Sequence, residues 1–199
     1  MRNYDGQTAE QRRDSRRIRL IAAGLELFGT QGYAATSVRA VLREAGLQER
    51  YFAESFTGLE GLLAAVHDDV HDRGYAFAVA EMARGESPEE RLRLMVDAVA
   101  RWLADDPRAA RVKLVEVVGA GPLAERHRQL GMQAYAALIE AELPPLPPEM
   151  KMDPRQLSMA LVAGVNGVLL DWLTGSLDIS RDQLVDHALR STLGPPPQH

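Results

Sequence analysis

The chain has 199 residues, no cysteine, a net charge of −5 and a hydrophobic share of 46%. That share can build one large domain, or a small one plus a larger one, without covalent staples. The lack of cysteine excludes disulfides and thiolate zinc sites and fits a reducing compartment.

No unbroken apolar run reaches the roughly 18 residues of a membrane span, and the N-terminus (MRNYDGQTAEQRRDSRR) lacks the apolar core of a signal peptide. The expectation is therefore a cytoplasmic protein without a membrane partner. Charge is unevenly spread: residues 1–60 hold nine Arg against eight acids, and the remainder holds fourteen Lys and Arg against twenty acids. Residues 12–19 (RRDSRRIR) contain five of those arginines. A local basic patch on an acidic protein suits phosphate contact, although charge alone reads equally well as a solvated helix start.

Residues 1–11 are polar and predict a disordered tail. The first helix is expected from about Arg13 to Gly29, with Ile18, Ile21, Ala22, Leu25 and Phe28 as its apolar stripe. Gly32 breaks it, and Tyr33 anchors the turn. Thr36 or Ser37 caps a second helix whose inward residues are Val38, Val41, Leu42 and Ala45. Gly46 supplies a tight corner. Leu47 plugs the core, and a short third helix carries Phe52 and Phe56 inward at i and i+4. Two short helices around such a corner predict a helix-turn-helix, whose second helix enters the DNA major groove.

The rest predicts helices over about 58–84, 88–104, 107–118, 122–143, 154–174 and 180–193, with no strand pattern and no repeat. PPLPP at 144–148 is a stiff linker, and the tail at 195–199 is expected to be loose. The fold class is therefore all-α with about nine helices. The expected division is a DNA-binding unit at 12–57 and a larger body at 58–194.

In the recognition helix, Gln48, Glu49, Arg50, Tyr51, Glu54 and Ser55 point outward. Arg50 is the best base reader, because a guanidinium pairs with both acceptors of guanine. Gln48 suits adenine or a phosphate, and Tyr51 a phosphate or a thymine methyl. Glu49 either accepts from cytosine or orients Arg50. Arg16, Arg17, Thr36, Ser37, Arg39 and Arg43 are candidate flanking contacts.

In the body, Phe77, Met95, Val99, Trp102, Met132, Tyr135 and Asn166 are candidates for an effector pocket, although aromatic and Met residues at helical spacing are more often plain core. His67 and His71 share a helix face at i and i+4. With no third ligand specified they read as a polar stripe, and neither metal nor cofactor is expected. No nucleophile–base pair or phosphate loop suggests an enzyme. Helix 154–174 is apolar around its circumference and needs cover on all sides. Ala160, Ala163, Gly164 and Gly167 permit close approach, and with Val168, Asp171, Leu184 and His187 they form a candidate dimer interface.

The segment Leu20–Leu63 resembles the DNA-binding domain of the TetR family of bacterial transcriptional regulators. The resemblance rests on the AA...LF..QGY..TSV core, the AGL corner, the recognition helix ending in Phe56 and the LE.LL start of the next helix. Residues 157–193 resemble that family's last two helices. The resemblance implies a homodimer whose last two helices pair as a four-helix interface. It also implies a body that binds a small-molecule effector and a head that reads a palindromic operator in double-stranded DNA, most simply as a repressor. The chain departs from the family at Ala53, where a Tyr is usual, and at Leu59, where a Lys is usual; both usual residues touch phosphate. That departure leaves open a second reading, a regulator with a weakened DNA head acting through a protein partner.

Overall fold

The computed structural model describes residues 8–146 and 151–193, which are helical with no strand among them. The expected loose ends at 1–7 and 195–199, and part of the proline linker, lie outside the described residues.

Helix α1 (Ala9–Thr30) starts earlier than the composition suggests. Thr8 and Gln11 form a reciprocal capping box: the Thr8 hydroxyl accepts from Gln11 N–H (3.1 Å), and the Gln11 side chain accepts from Thr8 N–H (2.8 Å). Residues 8–11 are thus ordered, which corrects the expectation of a tail to residue 11. The apolar stripe of α1 is also rotated from its expected phase. Leu20, Ala23, Gly24 and Phe28 are buried, whereas Ile18 is 66% exposed and Ala22 faces outward. The later helix that crosses α1 decides this: a Cβ on Gly24 would meet Val66 Cγ2 at 2.8 Å and Leu62 at 3.3 Å.

Helix α2 (Val38–Ala45) is capped by the Ser37 hydroxyl, which accepts from Ala40 N–H. It ends at Gly46, whose φ of +61° is left-handed and suits glycine. Helix α3 (Glu49–Ala53) follows at once, and α4 (Leu59–Met82) leads into the body. The body continues with α5 (Pro88–Asp105), α6 (Pro107–Arg111), α7 (Pro122–Glu142), α8 (Pro154–Leu173) and α9 (Arg181–Leu193). Proline in the first turn opens α5, α6, α7 and α8. The α-helix expected over 107–118 is instead interrupted by one π-helical turn at Val112–Glu116.

Two cores form. Leu20, Phe28, Val41, Leu42, Phe52 and Phe56 make the head core, joined by Leu62, Leu63 and Val66 of α4 and by Val112, Val117 and Ala124 from far along the chain. Ala78 and Met82 at the other end of α4 join Leu92, Met95, Leu103, Tyr135, Leu161 and Leu169 in the body core. Helix α4 is thus built into both.

On α8, Leu161, Val162 and Leu169 are buried, while Ala160, Ala163, Gly164, Gly167 and Asp171 are exposed and Val168 is half-buried. Leu184 corrects the expected interface: it is fully buried, because α9 turns Leu184, Val185, Ala188 and Leu189 onto the body core. His187 lies on the exposed side of α9. By length and composition α8 is apolar enough to cross a membrane, with a mean hydropathy of 1.3 over its best window, only 17% of which is buried.

Candidate DNA-binding face and body cavity

The outward face of α2 and α3 carries Ser37, Arg39, Arg43, Gln48, Glu49 and Arg50, all exposed, with Tyr51 and Ser55 half-buried beside them. Thr36 does not belong to it. It is 7% exposed, and its hydroxyl donates to the Gly32 carbonyl (2.7 Å) while accepting from Gln31 (3.2 Å). The TS pair therefore divides its work: Thr36 closes the turn and Ser37 caps the helix.

Arginines of α1 brace the recognition helix. Arg13 donates to the Glu54 carbonyl (3.0 Å), Arg16 pairs with the Glu54 carboxylate (2.9 Å), and Arg17 donates to the Ser55 carbonyl (3.1 Å). Cations at carbonyls that a helix end leaves open are favourable. The Arg16 guanidinium also lies 4.4 Å from the Tyr51 ring centre, and Arg50 covers the same ring at 4.7 Å while donating to the Tyr51 hydroxyl (2.8 Å). Arg17 covers the Phe56 ring at 4.5 Å. Arg16 and Arg17, expected at phosphates, are engaged in holding α3. Glu54, read from sequence only as an outward acid, is their partner.

Head and body meet at three polar points. Glu60 accepts from Leu123 N–H (2.7 Å) and Ala124 N–H (3.3 Å), placing a carboxylate at the start of α7 where the helix dipole favours it. Glu116 accepts from Tyr33 N–H (2.7 Å) and from Arg111 (2.7 Å), and Arg111 also donates to the Thr30 carbonyl (2.8 Å). Arg108 bridges Glu26 (2.7 Å) and Asp106 (2.9 Å). Both Arg111 and Glu116 flank or belong to the π-helical turn.

The same turn borders the body cavity. Its larger lobe, about 130 Å³, is lined by His67, Lys113, Arg128, Met132, Tyr135 and Asn166 among others. A smaller lobe, about 40 Å³, is lined by Met95, Val99, Ile139, Val162, Val165 and Leu169 together with Lys113, Tyr135 and Asn166. Five expected pocket residues (Met95, Val99, Met132, Tyr135 and Asn166) thus come together. Phe77 and Trp102 line neither lobe. They pack on one another at 6.4 Å beneath Arg101 and Arg73. A roomier groove of about 610 Å³ beside Trp172 and Val115 is more open, and its charged residue, Arg111, is already held by Glu116.

His67 and His71 are not a solvated stripe: they are 2% and 9% exposed and their rings are stacked at 6.2 Å. Gly131 of α7 makes room, since a Cβ there would sit 3.0 Å from His71 Nδ1. Lys113 Nζ lies 3.3 Å from His71 Nδ1; an ammonium can only donate, so that nitrogen carries no proton. Burial first, then the charge of Lys113, holds the His71 pKa down at about 4, and burial likewise lowers His67. The unfolded chain therefore takes up a proton near pH 6.5 that the folded chain refuses. Stability is full above pH 6.5 and falls as the pH drops toward 4, with a loss of about 3 kcal/mol from His71. Urea midpoints should fall over that window in the wild type and less steeply in His71→Gln; parallel curves would contradict this. No group of three or more metal-ligating side chains occurs among the described residues.

Two short helices set at a glycine corner, a braced second helix with an exposed polar face and a helical body joined to it make up a helix-turn-helix head on an all-helical body. Residues 20–66 match the family model described as bacterial regulatory proteins, tetR family. No curated protein sequence matches the chain.

Among solved structures it is similar to the fatty acid degradation regulator FadR of Bacillus halodurans (18% identity, TM-score 0.74, covering 90% of this chain and 95% of that one). It is also similar to FadR of Bacillus subtilis in complex with stearoyl-CoA (16%, 0.74, covering 90% and 99%). A tetR-family regulatory protein from Rhodococcus RHA1 aligns at 22% identity and a TM-score of 0.64, covering 89% and 97%. Residues 20–66 thus match the DNA-binding segment of the TetR family of bacterial regulators, and the chain as a whole shares the fold of these solved structures.

Proposed function

We propose that the protein is a cytoplasmic, homodimeric repressor that sits on a palindromic operator and leaves it when a small molecule fills the body cavity. One observation carries the reading: the π-helical turn serves both sites. Val112 is in the head core and Glu116 holds Tyr33, while Lys113 and Leu114 face the cavity. A ligand that favours one arrangement of that turn also biases the head, in proportion to its differential affinity for the two states. Half-sites one DNA turn apart lie about 34–36 Å centre to centre, so a small rotation of each head spoils the register. FadR of Bacillus subtilis, which has the same fold, was solved in complex with stearoyl-CoA, which supports a ligand-responsive reading.

DNA contacts are assigned to Ser37, Arg39, Arg43, Gln48, Glu49, Arg50, Tyr51 and Ser55. Arg39 and Arg43 replace the family's usual Tyr and Lys, absent at Ala53 and Leu59, as phosphate anchors. A mobility-shift titration on the DNA flanking the protein's own gene tests this. Log affinity should fall steeply with log salt, and Arg39→Ala should reduce the slope by about 1 per lost phosphate contact. A nearly flat salt plot would remove the arginines from the contact list. Failure to bind flanking DNA at low salt would favour action through a protein partner.

A further inference from the structure

Among the described residues, Lys113 is the only cationic side chain of the cavity that no carboxylate answers. Arg128, across the larger lobe, is held by both oxygens of Glu125 (2.6 and 2.9 Å). Asp68 of α4 is taken by His127 (2.7 Å). Lys113 instead meets His71 Nδ1 and the face of the Tyr135 ring at 5.1 Å. Neither supplies a full negative charge. Burial lowers its pKa to about 8, so at neutral pH it remains largely an ammonium in a site that penalises one.

Beside it, His67 Nδ1 is buried without a hydrogen-bond partner; Asp68 Oδ1 at 3.6 Å is beyond reach. Lys113, Tyr135 and Asn166 line both lobes, so they stand between the larger lobe and the smaller one. The pattern is a half-buried cation, an orphaned imidazole nitrogen and an adjoining wall of Met95, Val99, Ile139 and Leu169. It is complementary to a ligand with a negative head and a small apolar remainder.

We infer that the effector is a compact carboxylate, with Lys113 neutralising its charge and the two lobes, about 130 and 40 Å³, together taking the rest of the molecule. This rests on the effector reading above and narrows it. Size excludes bulky ligands in this arrangement: a cavity of about 150 Å³ holds one benzene ring, and the larger lobe here is about 130 Å³. The carboxylate binds only while Lys113 is protonated. The ionisable groups facing it are His71 and His67 of α4 and Tyr135 and Arg128 of α7. Both histidines are neutral and Arg128 is paired, so affinity should weaken above pH 8 without a matching change between pH 6 and 7.5.

Calorimetry on the full chain tests the assignment with benzoate and hexanoate against their neutral counterparts, benzamide and hexanol. The acids should bind at least about 30-fold more tightly than the neutral compounds, and Lys113→Met should erase that preference. Methionine is of similar length and removes a half-buried charge, so a thermal midpoint no lower than wild type certifies the fold. Equal binding of neutral and acidic probes, unchanged acid binding in Lys113→Met, or binding of stearoyl-CoA with no response to either acid would overturn the inference.

The mobility-shift assay separates this from the broader reading. Carboxylate binding that needs Lys113 yet leaves DNA bound upholds the site and defeats the effector role. Release by an uncharged compound, equally in Lys113→Met, upholds the role and defeats the carboxylate.

Discussion

Gly164→Leu is expected to produce a well-folded monomer whose operator affinity is at least about 100-fold lower than wild type. A Cβ at Gly164 meets nothing within 4 Å in the protomer, so the larger side chain is sterically free there. Leucine also favours an exposed helix position over glycine by close to 1 kcal/mol, so the thermal midpoint of the protomer should not fall. In the proposed dimer, by contrast, Ala160, Ala163, Gly164 and Gly167 form the close-approach seam of α8, and a leucine there forces the helices apart.

Losing the second head removes the gain from binding two linked half-sites, which is commonly a factor of 10²–10⁴. Gly164 is a better probe than Gly167, because Gly167 also borders the cavity. Sedimentation tells the two outcomes apart: an intact dimer in Gly164→Leu would move the interface off this face of α8.

Phe28→Ala should cost about 3–5 kcal/mol, the range for emptying a buried aromatic site. Phe28 is fully buried, contacts Tyr33 edge-on at 5.7 Å and sits in the core that fixes α1 against α2 and α4. Ile18→Ala on the same helix should change stability by no more than about 0.5 kcal/mol, since Ile18 is largely exposed. Denaturant titrations of the two variants side by side check both the magnitude and the phase of the helix. Comparable losses would mean that Ile18 is covered in the folded protein.

That pair shows how far local pattern reaches. Helical periodicity identifies α1 and its amphipathic character, but it scores Ile18 above Ala23. The buried side is decided by where α4 crosses, and Gly24, a residue with no hydrophobic score, marks the crossing. The helix-turn-helix was legible because its determinants are close in the chain: Ser37, Gly46, Phe52 and Phe56 all fall between residues 37 and 56.

The links between head and body were not. Tyr33 and Glu116 are 83 residues apart, and no spacing rule joins them. The π-helical turn has no composition signal in VKLVE, and without it Lys113 reads as one more surface charge. Leu184 was misassigned because a leucine on a terminal helix fits a dimer seam and a protomer core equally well. For His67 and His71 the spacing was visible but their burial was not, since Gly131, which admits them, lies on another helix.

The sharing of α4 between two cores limits how portable the DNA reader is. A fragment ending at residue 57 would lack Leu62, Leu63 and Val66, and one extended through α4 would still lack Val112, Val117 and Ala124. Grafting residues 12–57 onto a foreign body would therefore leave part of the reader's apolar interior facing water. A working chimaera must exchange the surface of the recipient that replaces Val112–Ala124, or carry the donor's first half of α4 and its π-helical turn along with the reader.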